Sequence, residues 1–125
     1  MRKFITPVAM AAAFVALMGV SKVVKAVEVG DPVQVGVACG DKRTVEEHLA
    51  LIQTDVTYGL VRERLAEDVM AGKCIRVPMP ITMRVEEKGR EVRIVDSDGD
   101  NMEITVVRVG ESIWTLSGRI VGKEG

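Results

Sequence analysis

Residues 39–74 read CGDKRTVEEHLALIQTDVTYGLVRERLAEDVMAGKC, and how this segment folds decides the architecture. Thr44-Val45-Glu46-Glu47 has the capping-box pattern, in which the threonine hydroxyl accepts from first-turn amides and Glu47 reaches back to the threonine amide, so a helix is expected to begin at Thr44. Val45, Leu49, Ile52 and Val56 recur at spacings of four, three and four and give that helix one apolar face. Val61, Leu65 and Val69 form a second stripe, and Gly72 stands where a helix commonly stops. One straight helix over residues 44–71 would be about 42 Å long at ~1.5 Å per residue. The short stretch from Cys39 to the cap can return at most about 17 Å, and a disulfide needs its Cα atoms within ~7 Å. If Cys39 and Cys74 are joined, the helix must bend.

The weak point is residues 54–59, where β-branched residues, capping-type side chains and Gly59 concentrate. A glycine costs a helix interior about 1 kcal/mol, whereas closing a loop of this length with a disulfide stabilises by roughly 3–4 kcal/mol in the chain-entropy model. The bond outweighs the break. Two antiparallel helices are therefore expected, over about residues 44–54 and 58–71, stapled at their open end by Cys39 and Cys74. The competing arrangement is a single helix with reduced, separated thiols.

Outside this segment the apolar period falls to two. Val33, Val35 and Val37 alternate with smaller or polar residues, the pattern of a half-buried strand. After Cys74, Ile81, Met83 and Val85 alternate with Thr82, Arg84 and Glu86. Lys88 and Gly89 suggest a turn, with Val92 and Ile94 running back as the second arm of a hairpin. Residues 96–101 are dense in side chains that bond their own backbone and form a second turn. Residues 102–109 and 112–117 follow as strands. Apolar residues occupy both phases of the first of these, which calls for a bulge near Val106 and Val107 or burial of both faces. Pro78 and Pro80 lack amide donors and place the start of this array at a sheet edge. The expected fold is α+β: an N-terminal strand, a helical hairpin, then an antiparallel meander of about four strands that can curl into a small barrel.

The 125 residues carry 17 basic and 18 acidic side chains; they are 47% hydrophobic and 3% aromatic. Arg2 and Lys3 precede an uncharged apolar run over residues 4–21, the layout of a secretory signal peptide. Cleavage after Ala26 is favoured over cleavage after Ser21. The alternative is an uncleaved anchor, since 18 uncharged residues approach the lower limit for crossing a ~30 Å hydrocarbon layer. Residues 1–26 are thus read as leader or anchor and residues 27–125 as one small domain. Four of the 17 bases and none of the 18 acids lie in the leader, so the remainder holds 13 bases against 18 acids, a net charge of -5. An acidic domain with Tyr58 and Trp114 as its tyrosine and tryptophan lacks the charge and stacking rings of a nucleic-acid binder. The expected location is periplasmic or secreted, or membrane-anchored facing out of the cytoplasm, with contact to the membrane only through residues 4–21 if these are retained. An even cysteine count in an oxidising compartment reads as one disulfide, Cys39 with Cys74.

No catalytic motif and no cofactor signature emerges. His48 is the single histidine, which leaves no His/Cys metal cluster of the usual kind, and its simplest reading is a boundary residue of the first helix. Arg64 and Asp68, four residues apart, can pair on the second helix. Asp96, Asp98 and Asp100 form a weak cation candidate, but the spacing fails as an EF-hand and reads more simply as a polar hairpin tip. Trp114 is expected as a core anchor rather than an exposed platform. Trp114, Val107 and Val109 are the candidate contact residues, since the strand with apolar residues in both phases can supply a contact patch. These features favour a non-catalytic module that binds an envelope or extracellular protein. The alternative is a small secreted hydrolase, or an inhibitor of one, with an acidic site.

Overall fold

The computed structural model describes residues 20–22 and 26–123. The leader reading falls on residues 1–26 and so lies outside the described residues except at 20–22 and 26. The elements run β1 (Val20–Lys22), β2 (Pro32–Cys39), α1 (Lys42–Thr54), α2 (Gly59–Met70), β3 (Cys74–Arg84), β4 (Glu87–Val95), β5 (Asp100–Gly110) and β6 (Ile113–Lys123). No helix among the described residues is long and apolar enough to cross a membrane.

The 39–74 segment folds into a helical hairpin, and the Cys39–Cys74 disulfide closes its open end with 4.0 Å between the Cα atoms. The break falls where the sequence weakens the helix. Asp55 turns its carboxylate onto the Thr57 amide at 3.0 Å and the Leu60 amide at 3.3 Å. Hydrogen bonds from Thr57 above all hold this carboxyl below the usual carboxylate range. A Cβ at Gly59 would lie 3.1 Å from Asp55 Oδ2, so a larger residue there would crowd this carboxylate. At the far end Gly72 takes φ +80°, the left-handed conformation that ends a helix.

The start of α1 differs from expectation. The cap is Asp41 rather than Thr44: its carboxylate accepts from the Thr44 amide at 2.8 Å and from the Thr44 hydroxyl at 3.2 Å. Asp41 takes the Thr44 amide that the capping box assigned to Glu47, so the helix begins at Lys42. The Thr44 amide bond is the chief reason that the Asp41 carboxyl is held below its ordinary value.

Five strands form an antiparallel sheet in the order β3–β2–β6–β5–β4, and β1 runs parallel beside β6. The sheet is not closed into a barrel; β3 and β4 are its edges, and β2 meets β6 in the ladder only at Cys39 and Trp114. The hairpin expected between 81–86 and 92–94 does not form, because β3 pairs with β2 and β4 with β5. Backbone bonds at the junction show why. Val85 exchanges hydrogen bonds with Gly30 and Asp31 ahead of β2, whereas the next amide, of Glu86, donates to Arg108 on β5. The chain therefore passes from one neighbour to another within two residues. Gly89 is not a turn residue but lies inside β4, where a Cβ would come 3.3 Å from the Val106 side chain. The ladder slips between Lys88 and Glu91 to allow that approach.

The remaining turns fall as expected. Residues 96–99 join β4 to β5, with Asp96 Oδ1 accepting from the amides of Asp98 and Asp100. β3 is an edge, and between Val35 and Val37 of β2 its register advances from Ile81 to Arg76, so the stretch holding Pro78 and Pro80 bulges out of the ladder. Both faces of β5 are buried, with no slip at Val106 and Val107. Met102, Ile104 and Val106 join Val45, Leu49, Ile52, Val61 and Leu65 beneath the helices. Val107 and Val109 join Val27, Val33, Val35 and Val85 in a second cluster.

Candidate functional site: a cystine beside a buried histidine and aspartate

Cys39 ends β2 and Cys74 begins β3, directly opposite each other in the ladder. The Gly40 amide donates to the Lys73 carbonyl at 3.1 Å. That bond marks the cysteines as a non-hydrogen-bonded pair, the position in an antiparallel ladder where side chains stand closest. The strands thus hold the two sulfurs in reach before any bond forms between them.

Against this cystine the helical hairpin places His48 and Asp68. His48 Nε2 and Asp68 Oδ2 are 2.6 Å apart, and both residues are buried. The structure therefore corrects two expectations. His48 is not a boundary residue, and Asp68 pairs with it rather than with Arg64, which turns outward to Glu47 at 3.3 Å and Glu67 at 3.7 Å. Positional logic accounts for both. Val45, His48, Leu49 and Ile52 are spaced i, i+3, i+4, i+7, and Val61, Leu65 and Asp68 i, i+4, i+7, so each polar residue occupies an apolar-face position of its helix. Two such residues on facing helices satisfy each other's buried polar atoms. A ring nitrogen of His48 and the two sulfurs all lie within 4.8 Å of one another. This cluster, formed from residues far apart in sequence, is what residue spacing alone hid.

As a cystine the group is chemically quiet, because the thiolate is the nucleophile and metal ligand. As a dithiol it would be two sulfur donors next to an imidazole whose Nε2 is paired with the Asp68 carboxylate.

The other candidate residues are placed as follows. Carboxylate oxygens of Asp96, Asp98 and Asp100 lie within 4.8 Å of one another at the β4–β5 turn, where Asp96 is engaged in forming the turn itself. Trp114 is half-buried against the helix-side core, with Lys42 Nζ 5.6 Å from its ring centroid, within cation–π range. Val107 and Val109 are buried in the second cluster, so the apolar second phase of β5 fills a core instead of presenting a contact patch. Of the exposed large apolar side chains, Ile75, Met79 and Ile81 share β3, at 65%, 77% and 48% exposed, whereas Val29, Leu60, Met70 and Val95 lie elsewhere.

Composition did not reveal the polar stripe on the sheet face away from the helices. Glu103 and Arg119 are cross-strand partners, as are Thr105 and Ser117, and all four are buried. Arg93 reaches Glu103 at 3.2 Å and Arg119 reaches Asp31 at 3.3 Å. Glu103 Oε1, Arg119 Nε and Ser117 Oγ make no hydrogen bond among the described residues.

No protein-family model, curated protein or solved structure matches this chain.

Proposed function

We propose that the chain is an exported, non-catalytic module that works outside the cytoplasm and docks an extended, apolar segment of another envelope or secreted protein along β3. The observation that carries this reading is the character of that edge. Ile75 and Ile81 pair with Ala38 and Val35 and so stand on the sheet face away from the helices, with Met79 beside them in the bulge. A row of exposed apolar side chains on an edge strand is a surface that soluble proteins usually avoid unless it is used. Its flanking charges are Arg76 and Arg84, both exposed, and β3 contains no acidic residue. In a domain of net charge -5 the edge is a local basic site, which favours a partner segment with acidic residues around its apolar ones. Pro78 and Pro80 withdraw two amide donors, a device that discourages the edge from pairing with a copy of itself. The apolar run after Arg2 and Lys3 supplies the route of export, and a disulfide is compatible with an oxidising destination.

The test is cross-linking capture from the native envelope fraction, comparing wild type with Ile75→Glu/Ile81→Glu. Both side chains are exposed, so thermal stability should hardly change. The expected result is a discrete captured protein that disappears with the variant. Equal capture by wild type and variant would show that β3 is not the docking edge. N-terminal sequencing of the exported protein separates a cleaved module, beginning after Ala26 or Ser21, from one tethered through residues 4–21.

A further inference from the structure

We propose that the reduced chain holds a thiophilic divalent metal ion, of which zinc is the representative, on Cys39 Sγ, Cys74 Sγ and a ring nitrogen of His48, with Asp68 as the positioning carboxylate.

The donor set is that of a zinc site: two thiolates and one imidazole as three of four ligands, the fourth position falling to water. Zinc–sulfur distances of ~2.3 Å and zinc–nitrogen distances of ~2.0–2.1 Å in a tetrahedron set the ligand atoms about 3.5–3.8 Å apart. In the cystine form the three atoms already fall within 4.8 Å of one another. Parting the bonded sulfurs is the main adjustment required, and side-chain rotation at two facing ladder positions can supply it. Asp68 provides an independent indication. Metal-binding histidines almost always give their second nitrogen to a carboxylate or carbonyl, which fixes the tautomer and ring orientation. Here one imidazole nitrogen is committed to Asp68 at 2.6 Å, so the other is the one an ion can take. All four residues are less than a tenth exposed, so an ion held there would be shielded from competing water.

Metal binding and the cystine exclude each other. A dithiol reductant gives two electrons and two protons to the Cys39–Cys74 bond, yielding two thiols and the reductant's own disulfide. Zinc then displaces the two thiol protons and binds both thiolates. A disulfide oxidant reverses the sequence: it takes two electrons from the two thiolates and leaves as its own dithiol, the Cys39–Cys74 bond re-forms and the ion is released. The group is therefore a cystine in oxidising surroundings and a metal site in reducing ones.

The experiment uses the full chain, reduced by a phosphine that is then removed anaerobically, and titrated with cobalt(II). The expected result is one equivalent bound, with a thiolate-to-cobalt charge-transfer band and ligand-field bands of tetrahedral intensity, bleached by zinc. The oxidised protein should give none of these. Asp68→Asn should weaken binding about 10- to 100-fold, the usual effect of losing such a carboxylate. His48→Gln should abolish the tetrahedral bands; a melt of each oxidised variant confirms that it folds. Reduced wild type without tetrahedral bands would overturn the proposal. Unchanged affinity in both variants would overturn it too, since two cysteines on a loose chain would then suffice. Refolding of an unfolded reduced chain on adding zinc, absent in His48→Gln, supports it.

Discussion

Tyr58 shows how much one side chain can record about its surroundings. It opens α2 with φ +69°, a left-handed conformation uncommon for a residue with a Cβ, and its ring packs against the helix-side core. Burial pushes its phenol up to about 12, and the nearby charges of Asp96 and Asp98 add to that. A native value above the ordinary 10 means that folding favours the protonated form, so this contribution to stability is complete below pH 10 and is lost as pH rises through about 12. Because the chain has one tyrosine, phenolate absorbance reads this group without overlap from another. The expected midpoint is about 12 in the native protein and about 10 in denaturant; a native midpoint at 10 would mean that the ring is not packed as described. Residue-scale roles were the least visible in the sequence. His48 and Asp68 are 20 positions apart and belong to no motif, yet each sat at an apolar-face position of its helix. A polar residue in such a position asks for a buried partner, a signal that becomes readable once two helices are taken to face each other.

At the scale of elements, periodicity located strands and helices but not strand partners. The alternation over residues 81–94 was real, yet a period of two only reports that one face of a strand is buried, and β3 and β4 bury theirs against different neighbours. The prolines were more informative because a missing donor excludes positions outright. Pro78 and Pro80 required an edge, and β3 is one. If they also keep that edge from self-pairing, then Pro78→Thr/Pro80→Val, which restores two amide donors among exposed apolar side chains, should promote association. Sedimentation velocity over a concentration series is expected to show monomer for wild type and dimers or larger species for the variant. A variant that stays monomeric at every concentration would mean that the bulge itself, rather than the missing donors, protects the edge.

For the whole molecule, the covalent tie between the start of β3 and the end of β2 sets both stability and the state of the buried cluster. It was also the feature most open to argument from sequence, because two cysteines flanking an overlong helix can be joined only if the helix folds back. Domains of this size are stabilised by about 5–15 kcal/mol, and removing the constraint on a loop of 35 residues should cost roughly 3–4 kcal/mol. Reduction alone should therefore lower the urea midpoint substantially and raise the slope somewhat, since the unfolded chain without its cross-link is less compact and exposes more surface. Zinc should then reverse the loss. An ion that binds only the folded chain, supplied at about a thousand times its dissociation constant, stabilises by about 4.1 kcal/mol, enough to offset the missing bond. Unfolding curves of the oxidised, reduced and reduced zinc-loaded protein should thus place the first and third close together and the second well below them. In His48→Gln the third should fall back to the second. If reduction leaves the midpoint where it was, the disulfide is not the staple; if zinc restores His48→Gln as fully as wild type, the histidine has no part in holding the metal.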